Sequence, residues 1–225
     1  MHIEKISQEK GTLLRKNGPT ILKISINKEL LNKIYLINNI EFLTENISLK
    51  KLEIAPNHYY MIINKSNSPL EIDYNLDISN HEIVYDPYKY EDSKKEDINP
   101  QKFMEEHNIP SGYIDFLSKW YSIKFTYLDY NLIYIKSNLG ISIQTHKKRS
   151  EQWEILEGKP IIINGNKVHY FVESGTFFEH TFGTYHTIIN PNKNDEFTVL
   201  KENWSGEFDE EDIERVFNPN SFYSK

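Results

Sequence analysis

The sequence predicts a mainly β protein built on small antiparallel barrels, and three observations predict it. Short apolar runs recur between Asn, Gly and Pro breakers, for example Ile21–Ile26 before Asn27 and Tyr59–Ile63 after Ala55–Asn57. Aromatic residues reach 13%, with 15 Tyr and 12 Phe, which suits a pleated core and lies outside the disordered regime. Between Gly140 and Asn190, polar and glycine positions repeat at intervals that two hairpins of one barrel would bring together, since alternate strand residues point the same way.

Along residues 20–86 the expected strands are Ile21–Ile26, Leu49–Ile54, Tyr59–Ile63 and Glu82–Tyr85, while Leu30–Ile37 reads equally as a helical turn or a strand. The acidic and basic run from Asp86 to Pro100 reads as a solvated linker. From Pro100 to Trp120 the apolar residues Phe103, Met104, Tyr113, Phe116, Leu117 and Trp120 lie at helical spacing, broken at Pro110. Strands follow at Leu132–Ile135, from Ile141, at Trp153–Leu156, Pro160–Ile163, Lys167–Phe171, Thr187–Ile189 and Phe197–Leu200, with a C-terminal helix over Glu210–Phe217. The expected domains are residues 1–95, a β-rich domain, and 96–225, a barrel carrying the polar set and ending in that helix. At 225 residues the chain has length for one large or two small domains.

Gln144 and His146 are i and i+2 on one strand, Glu151 returns on the next, and His186 arrives from a later hairpin. Gly158 follows Glu151 after six residues, and Gly175, Thr181, Gly183, His186 and Asn190 form a second block. His2, His58, His81, His107 and His169 have no such companions and read as core or surface residues; His180 neighbours the second block without needing to enter the pocket. One amide oxygen, two imidazoles and a carboxylate suit a divalent ion: Zn²⁺ first, with Mn²⁺, Fe²⁺, Co²⁺ or Ni²⁺ as alternatives. With no cysteine, thiolate sites and disulfides are excluded.

These blocks resemble the two cupin motifs, G-x5-H-x-H-x3,4-E-x6-G and G-x5-P-x-G-x2-H-x3-N. Gln144 stands at the first His, Thr181 at the Pro, and Gly140 nearer than usual. Ser142, Gln144, His146, Arg149, Glu151, Trp153 and Gly158 are similar to the S-L-Q-x-H-x-x-R-x-E-x-W segment of type II mannose-6-phosphate isomerases. Gly206, Glu207, Phe208, Glu211, Asp212, Ile213 and Arg215 resemble the G-E-Y-x-x-E-D-D-I-x-R stretch that closes that domain. The resemblance implies a cupin, that is a double-stranded β-helix or jelly-roll barrel. If the N-terminal half is also a barrel, the chain is a bicupin with a short helical connection and a metal-free first barrel.

The implied activity is aldose–ketose interconversion of a sugar phosphate through an enediol. A metal at Gln144, His146, Glu151 and His186 would polarise the substrate oxygen. The resemblance puts Arg149 at the motif Arg; with Lys148 and Arg215 it is expected at the phosphate, and Glu211 and Asp212 are the base candidates. The family's D-x-Y-G-R ending has no counterpart in Asn218–Lys225, nor is there a Gly-rich nucleotide loop. Two alternatives stay open: a non-catalytic metal-containing cupin that binds a sugar or sugar phosphate, and a cupin dioxygenase. A net charge of −7 argues against a nucleic-acid partner. The polar start and the lack of a ~20-residue apolar run lead us to expect a cytoplasmic chain with no membrane partner. A homodimer is the self-association considered.

Overall fold

The computed structural model describes residues 2–207 and 209–221, without the side chain of Glu210. In its first part lie β1 (His2–Ile6), β2 (Leu14–Lys16), β3 (Leu22–Ser25), β4 (Ile34–Asn38), β5 (Glu41–Leu43), β6 (Glu53–Ile54), β7 (Tyr59–Asn64), β8 (Leu70–Tyr74) and β9 (Glu82–Tyr85). Helix α1 (Pro100–Glu106) precedes β10 (Asp115–Ser118), β11 (Ser122–Thr126), β12 (Asn131–Ile135), β13 (Leu139–Gly140), β14 (Ile143–Thr145) and β15 (Arg149–Glu157). Then come β16 (Ile161–Asn164), β17 (Lys167–His169), β18 (Phe177–His180), β19 (His186–Asn190), β20 (Thr198–Gly206) and β21 (Glu214–Phe217). The chain divides into two compact units, Met1–Asp86 with Gly165–Val168, and Pro87–Asn164 with His169–Lys225.

In the first unit one sheet runs β1-β8-β3-β6, and a second runs β5-β4-β7-β2-β9 with Lys167 of β17 paired to Glu41 of β5. Alternation in β3, with Leu22 and Ile24 inward and Lys23 and Ser25 outward, sends one face into the core. Ile24, Leu36, Tyr60, Ile62, Leu70 and Ile72 from both sheets meet there. The segment left open between helix and strand is both: a 3-10 turn at Lys28–Lys33, then β4.

The second unit is a jelly roll of two antiparallel sheets, β10-β11-β12-β20-β15-β18 and β21-β14-β19-β16, with β13 also pairing β19. Ile135, Trp153, Ile155 and Leu200 from the first sheet share one core with Ile162 and Ile188 from the second. Trp153 and Ile155 continue an alternation that begins with Arg149 and Glu151, so the β15 face that fills the core at one end carries polar groups at the other. Gly158, the motif glycine, has φ +86°, and a Cβ there would lie 2.5 Å from Thr198 Oγ1; only glycine makes the turn out of β15 without strain. Gly206 has φ +104° and abuts the Lys148 carbonyl, which lets β20 close on the first residues of β15.

Two helical expectations are corrected. Helix α1 forms as read, capped by the Asn99 side chain on Lys102 N at 3.0 Å, with Phe103 buried. Residues 115–118, however, are strand β10, paired with β11 from Asp115↔Thr126 to Ser118↔Ile123. Four apolar residues over one short window cannot distinguish a helix from a strand that has a partner waiting. The C-terminal helix of the expected 96–225 domain is likewise replaced: Glu210–Asp212 is a 3-10 turn and Glu214–Phe217 is β21, which takes the open edge of β14. Phe208 of the closing motif lies outside the described residues. No helix among the described residues is long and apolar enough to cross a membrane.

Candidate metal centre and cavity

Three strands of the second unit converge at one end of the barrel. On β14, Gln144 is the Cα partner of His186 on β19, so both side chains leave the same face. His146 follows β14, its carbonyl accepting from Gly183 N at 2.7 Å, which ties the two motif blocks together. Glu151 projects inward from β15. His146, Glu151 and His186 are all buried, at 2%, 3% and 1% exposure, and their ligating atoms cluster within 4.8 Å.

The hydrogen bonds decide what such a cluster can hold. His186 Nδ1 lies 2.9 Å from the Thr184 carbonyl, an acceptor only, so Nδ1 carries the proton and Nε2 presents its lone pair. That lone pair faces Glu151 Oε2 at 3.5 Å, and neither atom has a hydrogen-bond donor among the described residues. A cation between two such buried acceptors would satisfy both. His146 Nε2 lies 3.2 Å from Glu151 Oε1. Ligands at about 2.0–2.2 Å from a tetrahedral ion stand about 3.3–3.6 Å apart, close to both separations. The residues therefore fit a divalent ion, with Gln144 Oε1, which now accepts from Ser142 Oγ at 2.9 Å, as a neutral fourth donor from the paired strand.

Burial alone would raise the Glu151 carboxyl, but His146, His186 and Arg149 outweigh it and hold the group ionised, below the ordinary carboxylate range. Burial depresses His186, which stays neutral as a ligand must. Arg149, 4% exposed, donates from Nε to Glu151 Oε1 at 2.9 Å, and its Nη2 meets His146 Nε2 at 3.1 Å. This arginine stands inside the ligand cluster as well as on the cavity wall.

The cluster opens into a cavity of about 470 Å³, whose lining includes Gln144, Arg149, Glu151, Arg215, Lys124 and Glu202. Arg215 reaches it because its Cα pairs with Gln144 across β21 and β14. Glu211 and Asp212 do not line it. Glu211 is exposed, and Asp212 Oδ2 accepts from Lys147 N and Lys148 N at 2.9 and 2.8 Å, fixing the turn between β14 and β15. Lys148 is outside too, paired with Asp209 at 2.8 Å. The structure thus gathers Gln144, His146, Glu151, His186, Arg149 and Arg215, and leaves the two acids in a turn.

Two cavity residues escape sequence reading, and His180, read as a neighbour of the second block, lies beside the cluster without joining it. Glu202 lies beyond the Phe197–Leu200 run; extending that strand's alternation from Leu200 would have found it. Lys124 sits on the inward face of β11, opposite Ile133. His180 is 1% exposed, paired across from Glu151, its ring 4.7 Å from that of His186 and its Nδ1 3.2 Å from Asn164 Oδ1. Burial, then the neighbouring His186, depress its pKa to about 3.

Residues 117–218 match the family model described as mannose-6-phosphate isomerase C-terminal, a span just under half of the chain. Among solved structures, a provisionally named sugar phosphate isomerase from Acidithiobacillus ferrooxidans is 22% identical over 36% of this chain and 50% of its own, with a TM-score of 0.31. A cupin-superfamily sugar phosphate isomerase from Silicibacter pomeroyi is 13% identical over 38% and 60%, with a TM-score of 0.33. A cupin-2 domain protein from Rhodospirillum rubrum is 16% identical over 48% and 71%, with a TM-score of 0.35. The matched part thus spans only half to 60% of the first two proteins. No curated protein matches the chain. By the family match, residues 117–218 are similar to the C-terminal domain of mannose-6-phosphate isomerases, and their two antiparallel sheets form a jelly roll.

Proposed function

We propose that the second unit is a metal-dependent sugar-phosphate isomerase that interconverts an aldose and a ketose, mannose 6-phosphate and fructose 6-phosphate being the first pair to test. One observation carries the reading: a buried His146–Glu151–His186 cluster with opposed, donor-less acceptors lies at the wall of a cavity also lined by Lys124, Arg149 and Arg215. A divalent ion bound there, Zn²⁺ before the alternatives, supplies Lewis acidity that polarises a substrate carbonyl oxygen. The chain's own residues do the rest. Arg215 and Lys124 offer guanidinium and ammonium groups to a phosphate, Arg more specifically because its fork matches two phosphate oxygens. Arg149 holds Glu151 ionised and in place.

Metal analysis of the purified protein, together with an assay converting mannose 6-phosphate to fructose 6-phosphate, tests the proposal. About one equivalent of metal and turnover lost on chelation are expected; a metal-replete protein that leaves both sugars unchanged would remove the isomerase. A second reading, a non-catalytic cupin that binds the phosphosugar, is favoured by Arg149, whose guanidinium already neutralises part of the cluster. It would show as binding by titration calorimetry without turnover.

A further inference from the structure

Glu202 lies mid-way along β20, with Trp153 of β15 and Asn131 of β12 as its Cα partners on either side. Trp153 faces inward and is fully buried, so Glu202 enters the same interior, half-buried, on the wall of the metal-site cavity. Asn131 Nδ2 donates to its Oε1 at 2.8 Å, fixing the carboxyl plane and leaving Oε2 without a hydrogen bond among the described residues. The charged groups that line the cavity with it are Glu151 and Arg149 from β15, Lys124 from β11, Arg215 from β21, and Lys119. Glu151 is claimed by two histidines and an arginine. Of the two acids on this wall, Glu202 is the one not committed to the ligand cluster.

We propose that Glu202 is the proton-transferring carboxylate of the cavity, a role that rests on the isomerase reading above. With an open-chain phosphoaldose in the cavity, Glu202 removes the proton from C2; the C2–H electron pair becomes the C1=C2 bond and the carbonyl pair moves onto O1. The O2 proton passes to O1, and the protonated Glu202 returns its proton to C1 as the O2 electron pair re-forms a carbonyl at C2. Atoms and electrons balance with no oxidant or further reactant. Two carboxyls in unlike surroundings suit such a division: burial, then the nearby Glu151 charge, raise Glu202 above the ordinary carboxylate range, against Asn131, Lys124 and Arg149, while Glu151 stays ionised. This moves the base from Glu211 and Asp212, which lie outside the cavity.

The test uses the full chain, metal-loaded, with mannose 6-phosphate in deuterated water, following deuterium at C1 and C2 by NMR. Glu202→Gln keeps the acceptor for Asn131 and removes the base. It should slow isomerisation and exchange by about 100-fold or more, with metal content unchanged and phosphosugar affinity within about two-fold of wild type. Glu202→Asp, which folds as a conservative change but draws the carboxylate back by one methylene, should retain partial exchange. Wild-type turnover with unimpaired Glu202→Gln overturns the role of Glu202 and leaves the isomerase intact. A metal-loaded wild type that neither turns over nor exchanges overturns both.

Discussion

The two units solve the same architectural problem with opposite interiors. Each packs two antiparallel sheets over a shared core, and in the first unit that core is Ile, Leu and Tyr: Leu22, Ile24, Leu36, Tyr60, Ile62 and Leu70. In the second, the equivalent inward row on β15 reads Arg149, Glu151, Trp153, Ile155, so polar groups hold one end and apolar groups the other. An apolar interior gains stability from every methylene it buries. A polar interior costs stability unless each charge has a partner, and a chain keeps one where the partners do chemistry. The comparison shows that the inward faces of the strands are where the two units differ: the first buries apolar side chains, the second also a charged cluster.

The sharpest way to break that contrast is to delete a metal ligand. His186→Ala should lower metal affinity by more than about 100-fold, since losing even an outer partner of a ligand costs about 10–100-fold. His180→Ala and His169→Ala should leave metal content close to wild type, because His180 is engaged with Asn164 and stands outside the ligand cluster. Equal losses in all three, measured by metal analysis, would disprove the ligand assignment. In the first unit, Ile62→Ala should cost about 2–5 kcal/mol of stability with no change in metal content.

Next in size is charge removal without metal. Glu151→Ala removes the carboxylate partner of the buried Arg149 guanidinium and should cost about 3–5 kcal/mol in urea unfolding of the metal-free protein. Arg149→Lys keeps the charge but cannot reproduce the contacts to both Glu151 and His146, so about 1.5–3 kcal/mol and a weaker phosphosugar titration are expected. A melting curve unchanged by either substitution would mean the cluster is not held as seen.

Acid should weaken the second unit. His180 and His186 have folded pKa values below their ordinary 6.5, so below that pH the unfolded chain binds more protons and stability falls. Glu151, also depressed, acts in the same direction: its contribution is present above the ordinary carboxylate range and is lost as pH falls through its folded value. His180, His186 and Glu151 should therefore weaken the second unit progressively from about pH 6.5 toward 3, the value to which His180 is depressed, with the raised Glu202 carboxyl opposing them at the upper end of that window. His180→Gln should flatten part of that slope in urea midpoints taken at pH 7, 6 and 5; an unaltered slope would mean His180 is accessible to protons in the folded state.

The smallest effect concerns the connection. Residues 88–99 hold most of the exposed charges between β9 and α1 and should be the first site of limited proteolysis, with both products still folded by circular dichroism. First cleavage in the 191–196 loop instead, or a product that precipitates, would place the division elsewhere. The segment Gly165–Val168, which joins the first unit, makes a fragment that begins at Glu96 the more demanding version of this test.

By itself the sequence determined the strand-rich class, the two hairpin blocks and the meeting of His146, Glu151 and His186. Their signal is local: i, i+2 on a strand puts Gln144 and His146 on one face whatever surrounds them, and Gly158 must turn with positive φ. It did not determine β10 or β21, because short segments such as Asp115–Ser118 and Glu214–Phe217 become strands only when β11 or β14 offers a free edge. Nor did it determine who shares the cavity. Glu202, Lys124 and Asn131 come from three strands that pair across up to 71 residues of separation, and no spacing encodes that register. Glu211 and Asp212 matched a motif, yet their place in a turn is set by the backbone amides of Lys147 and Lys148. Pairing between distant strands decides which carboxylate faces the metal site, since it is cross-strand register, not chain order, that brings side chains onto one wall.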